Sequence, residues 1–185
     1  MLHMLKLYAR NKVRCQKDNL IEIRGSVRVK KCHIIIKGTG NKLVFHDGAI
    51  LNNVIIEIDG QGCELSIGAD CVIGEGCYFS CRERNTKLSI GDNCMFSRNV
   101  RLMTSDGHDI LHHGIRINMA RDISIGNHVW LADGVTVLKG VSIGDGAVVG
   151  INALLTTNVP GYVVAAGFPA KVIKENIIWR EDITF

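Results

Sequence analysis

At 185 residues and 20.3 kDa, the chain has room for one domain with a substantial core and too little for two full enzyme domains. Its 22 Lys and Arg against 18 Asp and Glu leave a net +4, a mild and scattered excess that does not announce a nucleic-acid partner. An apolar content of 46% excludes disorder, two prolines exclude collagen and Pro-rich linkers, and 23 Ile with 17 Val beside 20 Gly point to many short strands separated by turns.

In chain order, MLHMLKLYAR opens with a short apolar stretch broken by His3 and Lys6, without the sustained apolar core or the cleavage site of a signal peptide. Residues 1–22 are expected as a terminal arm or cap, and 23–175 as the main domain. Within 26–66, VRVKKCHIIIK, KLVFH and NVIIEID read as strands in degenerate register. Regular hexads start at IGADCV and IGEGCY, with Ile67 and Ile73 first and Cys71 and Cys77 fifth. Phe79 begins another hexad that fails at Glu83, so CRERNTK is expected as a bulged corner or small loop. The pattern resumes at IGDNCM and FSRNVR and then stops again. From residue 125 to 160 it runs through six unbroken hexads, IGNHVW, LADGVT, VLKGVS, IGDGAV, VGINAL and LTTNVP. The first position is always aliphatic, from Ile125 to Leu155, and the fifth is Val or Ala, from Val129 to Val159. The tail 176–185 is left open between helix and strand.

A period of six is neither the 3.6 of a helix nor the 2 of a strand. Six residues suffice for one short strand and one tight turn, and three such sides close an 18-residue coil around one inward aliphatic and one inward small residue per side. Stacked coils pair in parallel about 4.8 Å apart. The expected fold is therefore all-β, a triangular parallel β-solenoid. A β-sandwich is the alternative, disfavoured because its strands vary in length.

The seven cysteines form no CxxC pair and are odd in number, which argues against a disulfide framework and a structural zinc site and for a reduced, cytoplasmic protein. Cys71, Cys77 and Cys94 fall at the inward small position, where a thiol acts as a small hydrophobe. No 18-residue apolar run is present, so no membrane insertion is expected.

The long interruption is TSDGHDILHHGIRINMARD, which cannot be laid into hexads and reads as a loop, 103–122, ejected from the prism wall. It carries His108, His112, His113, Asp106, Asp109 and Arg116. His108 stands near two carboxylates and directly after a glycine, a setting in which imidazole can exchange a proton near neutral pH while a carboxylate fixes its tautomer.

The hexads, with TSDGHDI at 104–110, RINMARDISIGNHVWLADGV at 116–135 and the closing AAGFPAKVI, resemble the hexapeptide-repeat acyltransferases, and within them the sugar and polysaccharide O-acetyltransferases, alongside the galactoside and maltose acetyltransferases. The resemblance covers roughly residues 65–175. It implies a left-handed parallel β-helix, acetyl-CoA as donor, a sugar or glycan hydroxyl as acceptor, no required metal, and a homotrimer with active sites between prisms. It implies His108 as catalytic base with Asp106 or Asp109 as orienter. Trp130, Asp133, Ile151, Thr156, Thr157, Lys171 and Lys174 match positions along the CoA groove, and Ser80 and Arg82 are candidate acceptor contacts. Where relatives carry Lys, this chain has Thr157. His128, at a hexad corner, is expected at the surface or at a trimer contact. Two rivals use the same scaffold. One is a zinc enzyme like the gamma-class carbonic anhydrases, drawing on His108 and His113, and the other is a non-catalytic interaction subunit.

Overall fold

Parallel stacking is what the inward aliphatic positions require, and a computed structural model describing residues 2–182 shows it directly. Three sheets of short strands run up a triangular prism of seven coils. The first face holds Lys12–Cys15, His33–Thr39, Ile55–Gln61, Tyr78–Arg84, Arg101–Met103, Thr136–Val137 and Leu154–Leu155. The second face runs from Leu20–Ile23 to Ser142–Ile143, and the third from Arg28–Lys30 to Val163–Gly167.

Each face points one ladder of apolar side chains into the core. On the first, Ile34, Ile56, Phe79, Leu102, Val137 and Leu155 stack in register. On the second, Phe45, Ile67, Ile90, Ile125 and Ile143 do so, and on the third Leu51, Ile73, Phe96, Leu131 and Val149. The fifth hexad positions lie beside them, all buried, including Cys71, Cys77 and Cys94. Corner Asp and Asn side chains accept backbone N–H bonds from the coil before: Asp92 from Ala69, Asn127 from Asp92, Asp145 from Asn127. That role explains the Asp or Asn after Ile-Gly in IGDNCM, IGNHVW and IGDGAV.

The expected 18-residue coil is correct only for the upper prism. Val137 to Leu155 is 18 residues, but Ile34 to Ile56 is 22 and Ile56 to Phe79 is 23. The difference lies in the first face, where His33–Thr39, Ile55–Gln61 and Tyr78–Arg84 continue as seven-residue strands. CRERNTK is thus no isolated bulge: Arg82, Glu83 and Arg84 pair with Asp59, Gly60 and Gln61 of the coil below. The enlarged corner encloses Asn41 and Thr86. Asn41 donates to the Lys37 and Gly60 carbonyls and accepts from the Cys63 N–H, and the Thr86 hydroxyl donates to the Arg82 carbonyl. Gly38, at φ +85°, sits where a Cβ would come within 1.9 Å of the Gly60 carbonyl oxygen.

The prism begins at Lys12, inside the segment expected as arm or cap, and the cap proper is one helix, α1 (Leu2–Arg10). Leu7 of α1 is buried against the first coil, and Asn11 ties the helix down by donating to the Leu7 and Val29 carbonyls while accepting from the Cys32 N–H. The other end closes with an antiparallel strand, Ala170–Glu175. Beyond it the chain is neither helix nor strand through residue 182, and Trp179 folds back as a buried anchor. Residues 183–185 lie outside the described part. No helix among the described residues is long and apolar enough to cross a membrane.

Phe79 and Phe96 meet edge to face in the core, ring centroids 6.0 Å apart. Truncating Phe79 to Ala is expected to cost about 3–5 kcal/mol, read as a lower denaturant midpoint; an unchanged midpoint would contradict the core ladder.

Candidate active site

The ejected loop leaves the prism at the corner between the first and second faces. Its neck is closed by the Arg121 N–H donating to the Thr104 carbonyl at 3.0 Å. Thr104 is fully buried, and its hydroxyl accepts from the Arg82 N–H at 3.0 Å. Inside the neck the loop turns back through a two-stranded hairpin, Leu111–His112 against Ile115–Arg116. Its two-residue turn, His113 and Gly114, has positive φ at both positions, as a hairpin with the right strand twist needs. The His112 and His113 rings touch, centroids 4.1 Å apart.

One buried side chain organises the loop. Asn118 is 7% exposed. Its amide nitrogen donates to the His108 carbonyl at 2.7 Å and to Asp106 at 2.8 Å, while its amide oxygen accepts from the Ile110 N–H at 2.7 Å. The His108 carbonyl and the Ile110 N–H are thereby clamped, with the Asp106 side chain tied to the same hub, leaving the His108 side chain exposed. Two ion pairs brace the same loop. Lys139 donates to Asp106 at 2.5 Å and to the Asn118 carbonyl at 2.8 Å. Arg116 pairs with Glu83 at 2.6 Å and Asp109 at 2.9 Å, and Glu83 also accepts from Ser105 at 2.6 Å. The Lys139 ammonium, then the Asn118 amide, hold the Asp106 carboxyl below the usual Asp range. Burial alone would raise Glu83, but hydrogen bonds from Arg116, Ser105 and the Ala120 N–H outweigh it and lower the group.

Both carboxylates flanking His108 in sequence are thus engaged with cations. Neither Lys139, in a hexad, nor Asn118 stood out by spacing, and Glu83 was visible only as the place where a hexad failed. A cavity of about 500 Å³ opens below the loop, lined by Gln61, Glu83, Arg84, Arg116, Met119 and Ala120. On the adjoining first face Arg82 donates to Glu57 at 2.8 Å and to the hydroxyl of buried Ser80 at 3.0 Å, and Tyr78 donates to the same Glu57 oxygen at 2.6 Å.

The other predicted residues divide between two sides of the prism. Thr156 and Thr157 follow Leu154–Leu155 at the loop's own corner, with Thr157 one coil above Lys139. Trp130 lies on the third face, opposite that corner, as do Lys171 and Lys174 on the last strand. Asp133 and Ile151 occupy successive turns between third and first faces, Ile151 exposed and Asp133 paired with Arg98 at 3.0 Å. One chain therefore does not bring His108 and Trp130 together. Trp130 donates weakly to Ser97 at 3.4 Å and faces Trp179 at 5.8 Å. His128 is at a corner as expected, but its ring stacks on Trp179 at 4.1 Å and 4°, and the Trp179 indole donates to the His128 carbonyl at 2.8 Å. Its main contact is thus with its own tail. Burial pushes the Cys77 thiol up to about 11, as suits a structural rather than a nucleophilic sulfur. Among the described residues no three His, Cys, Asp or Glu side chains gather as a metal-binding group, so the pair His108 and His113 meets no third such ligand among them.

No protein-family model matches the chain. A polysialic acid O-acetyltransferase of Neisseria meningitidis is 36% identical over 165 residues, spanning 88% of this chain and 75% of that protein. One of Escherichia coli O1:K1 / APEC is 39% identical over 121 residues, 64% of this chain but only 39% of the relative's length. The crystal structure of the polySia specific acetyltransferase NeuO superposes with a TM-score of 0.71 at 33% identity, covering 93% of this chain and 77% of that one. The prism is accordingly a left-handed parallel β-helix. The chain belongs to the hexapeptide-repeat acetyltransferases, and within them to the O-acetyltransferases of the polysialic acid type.

Replacing Asn118 with Ala is expected to speed hydrogen exchange across 105–120 at least tenfold while barely moving the global midpoint; equal exchange would remove Asn118 as the hub. Because Asp106 is lowered on folding, its pairing contributes above the ordinary Asp pKa and is lost as pH falls through the folded value. Loop exchange, corrected for intrinsic rate, should stay constant from about pH 7 to about pH 4 and rise below.

Proposed function

We propose that the chain transfers an acetyl group from acetyl-CoA to a hydroxyl of a sugar or polysaccharide precursor, in one ternary complex, with His108 as general base. The observation that carries this reading is the clamped loop: a regular solenoid expels one segment, and that segment holds its histidine backbone rigid by Asn118 and its side chain open. A sugar hydroxyl is a poor nucleophile until its proton leaves as it attacks. In the proposed step the hydroxyl oxygen bonds to the thioester carbonyl carbon while the His108 imidazole takes the proton. The tetrahedral oxyanion collapses, the carbon–sulfur bond breaks, and the imidazolium returns the proton to the departing thiolate. Backbone N–H groups supply the oxyanion contact. Transfer by this route uses no metal ion and no acyl-enzyme, in keeping with the burial of Cys71, Cys77 and Cys94.

Asp106 and Asp109 act in this reading through the loop rather than on the imidazole directly, since Lys139 and Arg116 occupy them. The acceptor enters the cavity under the loop, beside Ser80 and Arg82. The donor runs past Trp130, Asp133 and Ile151, with Thr156 and Thr157 along its arm and Lys171 and Lys174 at its phosphates, where positive charge favours binding. Because the third face lies opposite the loop corner, donor residues there meet a His108 only across a boundary between copies. That geometry supports a homotrimer in which each cleft draws on two chains. Seven free thiols, six of them buried, suit a reducing cytoplasm.

The test is thiol release from acetyl-CoA over a panel of free sugars, nucleotide sugars and polysaccharide fragments. Replacing His108 with Ala is expected to lower kcat by roughly 10²- to 10⁴-fold; turnover within a few-fold of wild type would remove it as the base. Lys171→Glu should raise KM for acetyl-CoA more than it lowers kcat, and the reverse split would take Lys171 out of the phosphate site.

A further inference from the structure

Charge is not scattered along this chain, as the whole-chain count suggested. Residues 1–45 hold eleven of the 22 Lys and Arg but two of the 18 Asp and Glu, a net +9, so the remaining 140 residues carry −5. The fold gathers that excess at one end, because residues 1–45 build α1, the first coil and the start of the second. Lys6, Arg10, Arg28 and Lys30 border a concavity of about 430 Å³ on one side of α1, with Asp47 its sole acid. Arg10, Lys12, Lys31 and His33 border another of about 550 Å³, with no acid at all. Lys6, Arg10, Lys12, Arg14, Lys17, Arg28, Lys30 and Lys31 are all exposed, and none forms an ion pair among the described residues. Leu5 and Tyr8 stand among these cations, one helical turn apart on α1, 70% and 49% exposed, while Leu7 of the same helix is buried in the core.

We propose that this α1 end is a docking surface for an anionic lipid bilayer, with the cations on the headgroups and Leu5 and Tyr8 seated at the boundary between headgroups and acyl chains. Two features select a bilayer over a soluble polyanion. The cations surround the end of the prism on both sides of α1 instead of lining one groove along it. The exposed aliphatic Leu5 beside them gains little from an acidic-sugar or sugar–phosphate backbone, whereas a basic patch with apolar side chains is the pairing that holds peripheral proteins to membranes. Each cation near such a surface contributes roughly fivefold to partitioning, and screening by salt removes it. No helix among the described residues is long and apolar enough to cross the bilayer, so the contact proposed is peripheral. The catalytic loop leaves the fifth coil, four coils above the first, or about 19 Å at about 4.8 Å per coil. That exceeds the Debye length of about 8 Å at physiological salt, so reversing charge at the docking end leaves the loop's electrostatics intact.

The experiment is flotation of the full chain with vesicles of phosphatidylcholine alone or with about 30% phosphatidylglycerol. The chain should float with the anionic vesicles only and be released by about 0.5 M salt. Arg28→Glu with Lys30→Glu should weaken binding by roughly 25-fold or more. Leu5→Ser should weaken it several-fold, with the thermal midpoint of each variant confirming an intact fold. Equal flotation on neutral vesicles, no flotation at all, or a double variant that floats like wild type would each overturn the proposal. So would a soluble anionic polysaccharide that binds the chain tightly and indifferently to Leu5→Ser, since that would make the patch a polymer site. Docking does not rest on the acetyl-transfer reading. The double variant should retain wild-type turnover on a soluble acceptor, and a His108→Ala variant should still float; loss of only one behaviour identifies which assignment has failed.

Discussion

Every coil of this protein must place an apolar side chain inward from each face and hand its backbone N–H and C=O groups to the coils above and below. That double demand is the constraint on which the rest depends. It builds the ladders from Ile34 to Leu155 and from Phe45 to Ile143. It also turns Cys71, Cys77 and Cys94 into core atoms. A segment that cannot satisfy both demands has only one place to go, which is out through a corner. The ejected loop exists because 105–120 offers no aliphatic at the right interval, and the rigid wall on either side fixes where it emerges.

Expulsion alone would leave a floppy loop. What makes a site of it is a small polar core outside the hydrophobic one: Asn118 at its centre, with the Lys139–Asp106 pair and the Arg116–Glu83–Asp109 cluster bracing it. Each anchor comes from a different part of the chain. Lys139 belongs to the coil above, Glu83 to the extended first-face strand of the coil below, and Asn118 to the loop itself. The histidine is thus held by the prism even though it lies outside it. The same prism keeps the loop corner and the third face apart, so the division of the predicted residues between two sides of the prism is a consequence of triangular cross-section rather than of any one residue.

The two ends of the prism are built differently. One is closed by α1 with exposed cations on both of its sides, the other by an antiparallel strand and by Trp179 stacked on His128. A solenoid has no intrinsic stop, so each end needs a cap, and each cap presents a surface the repeating body does not. This is where a protein of this shape has freedom to acquire contacts unrelated to the chemistry at its middle.

The six-residue period, with its aliphatic first and small fifth positions, was enough to identify a triangular parallel solenoid, to name its inward residues and to locate the loop and His108, because those properties repeat locally and each repeat meets the same environment. The longer coils of the lower prism were not legible, since continuing Tyr78–Arg84 as strand depends on Ile55–Gln61 and His33–Thr39 already lying beneath it. Nor were the roles of Asn118, Lys139, Glu83 and Trp179: their partners lie 8 to 51 residues away along the chain. Composition along the string carried the charge imbalance, but only coiling put it on one end. Periodicity is a local property and survives in one dimension; polar contacts between coils, and the side of a prism on which a residue falls, come into being only when the chain is wound.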